Sequence, residues 1–383
     1  MDEKECDYGC SFPILRYLRN YGIFLLSEAR KRFTGSGKDS ESYIRKETIM
    51  KVFITGVAGF LGSHLADAML KEGHEVIGVD NLIGGYLDNV PDDVEYYQVD
   101  CKYLNTMNKL MRGVDIVYHT ACTAYEGLSV FSPELVSQNT YQITAAVASA
   151  AVAQGVKRFV YCSSMARYGT QEVVPFTEDM IPKPQDPYGI SKLAAERLVS
   201  CLGDVHGMEY VIAVPHNIIG PRQKYDDPYR NVASIMINLM LQGRQPIIYG
   251  DGTQKRCFSF VQDDISCLKK LAFQEGLSGE IINIGPDEEF VTINELAETL
   301  ARLLDFKLDP VYVPGRPQEV KLATCSADKA RKLLGYHTEY TLERGLSEMI
   351  DYIREKGAKK FRYHLDLEII NEKTPKTWKN KMF

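Results

Sequence analysis

The chain has 383 residues, of which 45% are hydrophobic, so it is long enough to bury a large core in one domain or in two lobes that share a cleft. Its 45 Lys and Arg residues nearly balance 51 Asp and Glu residues, and the net charge of −6 is spread along the chain. This balance argues against a nucleic-acid-binding protein, which would need a basic stripe.

The nine cysteines form no CxxC pair, which favours reduced thiols in a cytoplasmic protein. Cys6 and Cys10 can share a helical face, but no His or second cysteine pair accompanies them, so no metal site is expected. No apolar run approaches the ~18 residues of a membrane span. The acidic start MDEKE lacks the layout of a signal peptide. We therefore expect a soluble cytoplasmic protein without a transmembrane segment.

Residues 1–49 are predicted to be an extension to a complete domain. The stretch FPILRYLRNYGIFLLSEARKRF has helical apolar spacing with basic residues interleaved, and TGSGKDSES is typical of a linker. Such a helix could lie on a membrane surface or dock on the protein's own surface, which is the simpler interpretation.

From Met50 onwards, short apolar runs alternate with segments of helical spacing. The runs, each a candidate buried strand, are KVFITG, EVIGVD, EYYQVD, DIVYHTA, RFVYCSS and YVIAVPHN. Between them lie the candidate helices SHLADAMLKEG, YLNTMNKLMRG, PELVSQNTYQITAAVASAAVAQG and YGISKLAAERLVSCLG. This alternation predicts an α/β fold with a Rossmann-type doubly wound parallel sheet over residues 50–220, which also holds the catalytic residues.

The alternation loosens after about residue 220, in segments such as VASIMINLMLQG, EIINIG and TINELAETLARLLD. Residues 221–350 are predicted to form mainly a smaller mixed α/β lobe that binds substrate and covers the cleft at the carboxyl ends of the strands. Residues 351–383 are treated as a carboxyl-terminal tail. The tail contains the only tryptophan, and its sequence indicates no function.

The segment ITGVAGFLG places Gly56, Gly59 and Gly62 directly after the first predicted strand and at the start of a helix. Glycine permits a tight turn and a close approach of the backbone to a pyrophosphate, and a helix N-terminus offers free N–H donors. Asp80 ends the second strand, where a carboxylate would bind the adenosine ribose and repel a 2′-phosphate. These residues predict a site for NAD rather than NADP.

The segment DPYGISKLAAER places Tyr188 and Lys192 one helical turn apart, on the same face of a helix. A free tyrosine titrates near ~10. A nearby ammonium, together with the positive nicotinamide of bound NAD, would favour the phenolate and allow proton abstraction. Ser164, at the end of the fifth strand, is the expected hydroxyl to orient a substrate alcohol. These three residues are the predicted catalytic group.

The sequence from Met50 to about Ile350 resembles the extended short-chain dehydrogenase/reductases, and among them the nucleotide-sugar epimerases typified by UDP-galactose 4-epimerase. The motifs are TGxxGxxG, Asp80, a VD ending at Asp100, HTA, SSxxxYG, YxxxK and HNIIGPRQ. The resemblance implies a cofactor site made of Gly56, Gly59, Phe60, Leu61, Gly62, Asp80, Asn81, Asp100, Cys101, Ala121, Asn139 and Lys192.

The same resemblance implies a nucleotide-sugar substrate, with UDP as the expected nucleotide. Asn217 would contact the diphosphate or sugar, and Arg256 and Arg316 would hold the diphosphate, whose oxygens match planar guanidinium forks. The full set of substrate-binding residues implied is Ser164, Ala166, Tyr188, Asn217, Arg256 and Arg316.

Members of this family share a first step, in which the tyrosine takes the C4 hydroxyl proton while hydride passes from C4 to NAD. Dehydratases add an Asp-Glu pair just after the strand-end hydroxyl, and decarboxylases of UDP-glucuronate place a Glu at the second of these positions. Here the two positions are Met165 and Ala166. Without a second acid or base, the resemblance implies C4 epimerisation, with NAD held tightly and regenerated in place.

Alternatives remain at this point. A 4,6-dehydratase or a UDP-uronic acid-modifying enzyme could use an acid from elsewhere in the chain, and a catalytically idle NAD-binding scaffold would need none of this chemistry. Arg167 would indicate a carboxylated sugar if it faced the cleft, and nothing if it faced solvent or a neighbouring subunit. Cys257 stands where the family usually has an Asp after the diphosphate arginine. Ala323 stands where some members carry a bulky residue, and its small side chain would leave room in the sugar pocket for an N-acetyl group. A homodimer formed by the PELV helix and the Tyr188 helix is also expected.

Overall fold

A computed structural model describes residues 49–383. The helix and linker predicted within residues 1–49 lie outside the described residues, apart from Ile49. No helix in the described part of the chain is long and apolar enough to cross a membrane.

The strands follow the chain order expected from the apolar runs. They are β1 (Lys51–Thr55), β2 (Glu75–Asp80), β3 (Glu95–Gln98), β4 (Ile116–His119), β5 (Arg158–Cys162), β6 (Glu209–Pro215), β7 (Ile218–Ile219), β8 (Ile247–Tyr249), β9 (Lys255–Cys257), β10 (Ser259–Phe260), β11 (Ile281–Ile284), β12 (Phe290–Thr292), β13 (Val311–Val313) and β14 (Leu322–Ala323).

The α-helices connect these strands and cover them. They are α1 (Phe60–Lys71), α2 (Leu104–Leu110), α3 (Glu126–Ser129), α4 (Pro133–Ser137), α5 (Ile143–Ala153), α6 (Pro187–His206), α7 (Val232–Leu241), α8 (Val261–Phe273), α9 (Ile293–Leu304), α10 (Asp328–Leu334), α11 (Leu342–Lys356) and α12 (Lys376–Lys379).

Seven strands form one parallel sheet in the order β11-β6-β5-β4-β1-β2-β3. Alternate residues of a strand point to opposite faces, so Val52 and Ile54 pack under α1, α8 and α10, while Phe53 packs under α2, α5 and α6. Both faces are therefore covered, which confirms the doubly wound parallel sheet. The order reverses at β1, and the cleft that opens at the carboxyl ends of the strands is the expected ligand site.

The smaller sheets and the helices α7, α9 and α11 form a second core beside the cleft. One strand predicted for this lobe, in the segment EIINIG, lies elsewhere: β11 pairs with β6 and extends the large sheet. Its buried Ile282 and Ile284 meet the core under α8 and α10. Residues 221–350 therefore do not all belong to the smaller lobe, because β11 among them belongs to the large sheet.

The helix predicted over residues 133–155 contains a local widening. Between α4 and α5, the stretch Gln138–Gln142 forms a π-helical turn, a feature that often occurs at functional sites. Asn139 lies in this turn, and its carbonyl accepts a hydrogen bond of 3.2 Å from the Thr123 N–H at the floor of the cleft.

The carboxyl-terminal tail belongs to the same compact unit as the rest of the described chain. Trp378 is buried against Phe131 and Tyr229, and its indole N–H donates to the Pro228 carbonyl at 3.3 Å. Glu368 accepts hydrogen bonds from the first N–H groups of α4. The tail therefore connects the α3–α4 region to the smaller lobe.

Candidate active site

A cleft of about 430 Å³ opens at the carboxyl ends of the strands, a volume within the usual range of small-molecule sites. It brings together nearly all of the predicted site residues, which come from both the sheet and the smaller lobe. Those that line it are Gly56, Gly59, Phe60, Leu61, Gly62, Asp80, Asn81, Asp100, Cys101, Ala121, Asn139, Ser164, Tyr188, Lys192, Asn217, Arg256 and Arg316.

The glycine turn between β1 and α1 can be built only with glycine at two of its positions. Gly56 has φ +74°, in the left-handed region. A Cβ at Gly62 would lie 2.2 Å from the Gly56 carbonyl oxygen. The turn thus exposes backbone N–H groups at the start of α1 to the cleft, the arrangement that a pyrophosphate requires.

Asp80 ends β2 beside this turn and is almost fully buried. Its two carboxylate oxygens accept hydrogen bonds from the N–H groups of Leu82, at 2.7 Å, and Ala58, at 3.0 Å. Burial raises the pKa of Asp80, and these backbone hydrogen bonds lower it. The carboxylate is therefore held in place beside the glycine turn, with lone pairs left for ribose hydroxyls.

A second acidic residue, Asp100, lies in the cleft beyond the end of β3. The Asn81 side-chain amide donates to the Asp100 carboxylate at 3.3 Å, and the buried Cys101 follows directly. Together with the glycine turn and Asp80, this donor and acceptor set fits an adenine dinucleotide.

Helix α6 places Tyr188 and Lys192 at the centre of the cleft. It begins at an N-cap formed by Asp186, whose carboxylate accepts from the Gly189 N–H at 3.0 Å, and Pro187 occupies the first turn. The Lys192 ammonium donates to the Cys162 carbonyl at 2.7 Å and lies 5.9 Å from the centre of the Tyr188 ring. Lys192 therefore bridges the end of β5 and the tyrosine.

The protein alone does not make the Tyr188 phenol more acidic. Burial, the largest effect, raises its pKa above 10, and Cys122 adds to this, whereas Lys192 and Ser164 lower it. A positive charge close to the ring, such as that of a bound, oxidised nicotinamide, would act against this rise and favour the phenolate.

The far end of the cleft holds the two arginines. The Arg316 guanidinium stacks on the Tyr249 ring at 4.5 Å and pairs with Glu319 at 2.9 Å. Arg256 extends from β9, and burial lowers the pKa of its guanidinium. Asn217 has a left-handed backbone and donates its side-chain amide to the Cys257 carbonyl at 2.9 Å. These groups form a basic site that suits a diphosphate.

Two residues singled out for the sugar are not among those that line the cleft. Ala166 is in the 3₁₀ turn behind Ser164, where its N–H donates to the Ser164 hydroxyl at 3.2 Å and its side chain packs on Val136. Ala323 is buried in β14 alongside Arg256. Neither lines the cleft, so the small side chain at Ala323 gives no argument for an N-acetyl group.

Arg167 does not face the cleft, solvent or a surface that a neighbouring subunit could cover. It is 2% exposed and pairs with the equally buried Glu196 at 3.0 Å. The guanidinium also lies 5.0 Å from the Tyr168 ring. Arg167 is thus an interior residue in the turn that follows β5, and its charge does not face the cleft.

Glu126 is the residue that the sequence interpretation missed. It begins α3 and lies on the cleft wall, and the surrounding protein raises the pKa of its carboxyl to about 7. The sequence did contain a signal for Glu126. The loop that follows β4 leaves the carboxyl end of a central strand, so its residues are expected to line the cleft. A charged residue in that loop is therefore a candidate for substrate contact, and Glu126 adds to the cleft a carboxyl group that the sequence interpretation did not count.

Comparison with known proteins agrees with this geometry. The sequence model that describes the NAD dependent epimerase/dehydratase family matches residues 52–285 of this chain. The chain is 33% identical over 324 residues to UDP-N-acetyl-alpha-D-glucosaminuronate decarboxylase of Bacillus cytotoxicus, covering 80% of this chain and 98% of that protein.

Two solved structures share the fold over 80% of this chain. UDP-glucose 4-epimerase of Thermotoga maritima, determined with UDP-glucose, is 29% identical with a TM-score of 0.75 over 99% of its length. UDP-glucuronic acid 4-epimerase of Bacillus cereus, determined with UDP-glucuronic acid and NAD, is 28% identical with a TM-score of 0.75 over 100% of its length.

The family match extends over more than half of the chain, from the glycine turn to the end of the large sheet. Its cofactor is NAD, for which the cleft holds a fitting glycine turn and carboxylate. The chain therefore belongs to the NAD-dependent epimerase/dehydratase family of extended short-chain dehydrogenase/reductases.

Proposed function

We propose that the protein interconverts the C4 epimers of a UDP-hexose through a transient 4-keto sugar. The observation that carries the proposal is that one cleft is lined by Tyr188, Lys192 and Ser164 together with Asp80 and Arg256, the residues expected at a dinucleotide and at a diphosphate. Family membership supports an NAD-dependent reaction on a nucleotide sugar.

NAD, when bound, supplies the acceptor and the donor of hydride at C4. In the proposed reaction, Tyr188 removes the proton from the C4 hydroxyl and later returns it, and the Ser164 hydroxyl orients that oxygen. Lys192, fixed by the Cys162 carbonyl, keeps positive charge near the phenol. The keto sugar must turn within the cleft before it is reduced on its other face.

Two observations favour epimerisation of a neutral hexose over its alternatives. Positions 165 and 166 are Met and Ala, so no acid follows the strand-end serine, and Arg167 is turned inward to Glu196. Dehydration or decarboxylation would need another acid or base in the cleft, for which Glu126 is the candidate. Product mass separates the three reactions, because only epimerisation leaves it unchanged.

The test is to incubate the purified full-length protein with UDP-glucose, UDP-N-acetylglucosamine and UDP-glucuronate and to identify the products by chromatography and mass. We expect a new UDP-sugar of unchanged mass. Loss of water or of carbon dioxide would replace the proposal with a dehydratase or a decarboxylase, and no turnover of any nucleotide sugar would favour the idle scaffold.

The catalytic assignment has its own test. Tyr188→Phe should lower kcat by roughly 10²- to 10⁴-fold, the range for loss of a general acid–base group, without loss of NAD content. Tyr103→Phe, at an exposed tyrosine outside the cleft, is the matched control and should leave kcat unchanged. Full activity in Tyr188→Phe would remove this residue from the mechanism.

A further inference from the structure

Glu126 is held on the cleft wall by its neighbours in α3. The preceding Tyr125 is buried, and its hydroxyl donates to Asp227 at 2.5 Å. The Ser129 hydroxyl contacts both the Glu126 carbonyl, at 2.7 Å, and the Asp186 carboxylate, at 3.2 Å. The backbone of Glu126 is thus tied on both sides, while its side chain is exposed within the cleft.

The carboxyl group of Glu126 has no hydrogen bond and no ion pair within 4 Å among residues 49–383. The charged groups facing it come from three elements: Asp186 at the start of α6, Arg256 on β9, and Arg316 and Glu319 between β13 and β14. Arg316 also lies against the backbone of Gly127, where an added Cβ would be 3.2 Å from its guanidinium. Glu126 is therefore an available group next to the basic site.

Its place along the cleft determines which part of a substrate it meets. Asp186, the carboxylate that raises its pKa most, caps the helix two residues before Tyr188, and the Arg316 guanidinium lies against Gly127, the residue after Glu126. In the proposed function, the diphosphate occupies the arginines and C4 of the sugar reaches Tyr188. The hexose then passes in front of Glu126.

We propose that Glu126 selects neutral nucleotide hexoses and rejects carboxylated ones. Three carboxyl groups and two guanidinium groups surround this part of the cleft, and a diphosphate brings further negative charge. A uronic acid would add a carboxylate facing Glu126, and like charges in such a setting are strongly unfavourable. Hydroxyl and amide groups would instead donate hydrogen bonds to it.

The protonation of Glu126 makes this selection depend on pH. Although its side chain opens to the cleft, the surrounding walls partly desolvate the carboxyl, and this desolvation, together with Asp186, raises its pKa to about 7 against the lowering by Arg256 and Arg316. Below pH 7 the carboxyl becomes neutral, whereas the carboxylate of a sugar stays ionised down to about pH 4. Rejection of a uronic acid should therefore be strongest above pH 7 and fade as the pH falls.

The inference rests on the proposed function for the placing of the sugar, but binding tests it without turnover. The protein with Glu126 and the Glu126→Gln variant both carry Tyr188→Phe, which prevents turnover. Isothermal calorimetry then measures the Kd of UDP-glucose and of UDP-glucuronate for each protein at pH 6.0 and at pH 8.5. With Glu126 present, UDP-glucuronate should bind at least about tenfold more weakly than UDP-glucose at pH 8.5. The ratio of the two Kd values should be smaller at pH 6.0. Glu126→Gln should reduce this Kd ratio at both pH values.

Glu134→Gln, an exposed position on α4 outside the cleft, controls for a change of one charge and should leave the ratio unaltered. Thermal unfolding checks that each variant is folded. The proposal is overturned if both nucleotides bind equally to the protein with Glu126, if Glu126→Gln keeps the ratio, or if neither nucleotide binds. Selective binding without epimerisation would count against the proposed function alone.

Discussion

Arg167, in the turn that follows β5, and Glu196, in α6, form an ion pair inside the protein. Glu196 lies one helical turn beyond Lys192 on the buried face of α6 and accepts a hydrogen bond from Ser163, the neighbour of Ser164. The Tyr168 hydroxyl, which accepts from Arg167 at 3.3 Å, donates to Asn283 at 2.8 Å. The pair therefore connects α6, the serine loop and β11.

Removing one partner of the Arg167–Glu196 pair should lower the free energy of unfolding much more than replacing both partners. Arg167→Ala leaves a buried carboxylate without its counter-ion and should lower the free energy of unfolding by about 3–5 kcal/mol. Arg167→Met combined with Glu196→Gln should recover much of this loss. Urea denaturation measures both variants, and a loss below about 1 kcal/mol in Arg167→Ala would contradict the burial of the pair.

At the scale of elements, the β1–α1 turn combines a structural and a binding requirement. The N-terminus of α1 has no side-chain cap, and the turn instead presents its N–H groups to the cleft. The π-helical turn between α4 and α5 acts similarly, because it brings Asn139 to the same cleft. Both irregularities therefore lie at the cleft.

Gly62→Ala tests the glycine turn. The added Cβ would overlap the Gly56 carbonyl, so the turn must shift. We expect lower NAD content after purification and about 1–3 kcal/mol less stability, as in an overpacked core. Gly315→Ala is the control, since its Cβ would meet nothing closer than 3.9 Å. NAD released on denaturation is quantified, and normal NAD content in Gly62→Ala would contradict the predicted contact.

At the scale of the whole molecule, the tail closes one side of the cleft. Phe383 lines it, and Thr377 in α12 hydrogen-bonds the Tyr249 hydroxyl at 2.5 Å, on the ring that supports Arg316. Arg244 donates to the Met382 carbonyl at 2.7 Å. A segment whose sequence indicates no function thus supports the part of the cleft that contains Arg316.

A homodimer through α5 and α6 remains a prediction, for which the surface of α6 gives a test. Ile190 is 53% exposed there, and Tyr141 is 41% exposed just before α5. Ile190→Asp should shift the protein from dimer to monomer in analytical ultracentrifugation at micromolar concentration. Val205→Asp, at an exposed position near the other end of the same helix, should not. Sedimentation of the unaltered protein as a monomer would contradict the dimer.

Much of the fold and of the cofactor end could be predicted because short-range patterns specify them. Alternation of apolar runs with helical segments requires a parallel sheet, and the glycine turn, Asp80 and the Tyr188–Lys192 pair each depend on residues close in the chain. The place of β11 could not be predicted, because a short apolar strand can pair with more than one partner.

The sequence by itself determined the order of elements, the dinucleotide turn and the tyrosine–lysine pair on one helical face. Only the tertiary structure decided that Arg167 turns inward, that Glu126 faces the cleft and that the tail supports Tyr249. The physical reason is that burial, pKa and charge pairing depend on groups from distant segments, and folding alone brings those groups together.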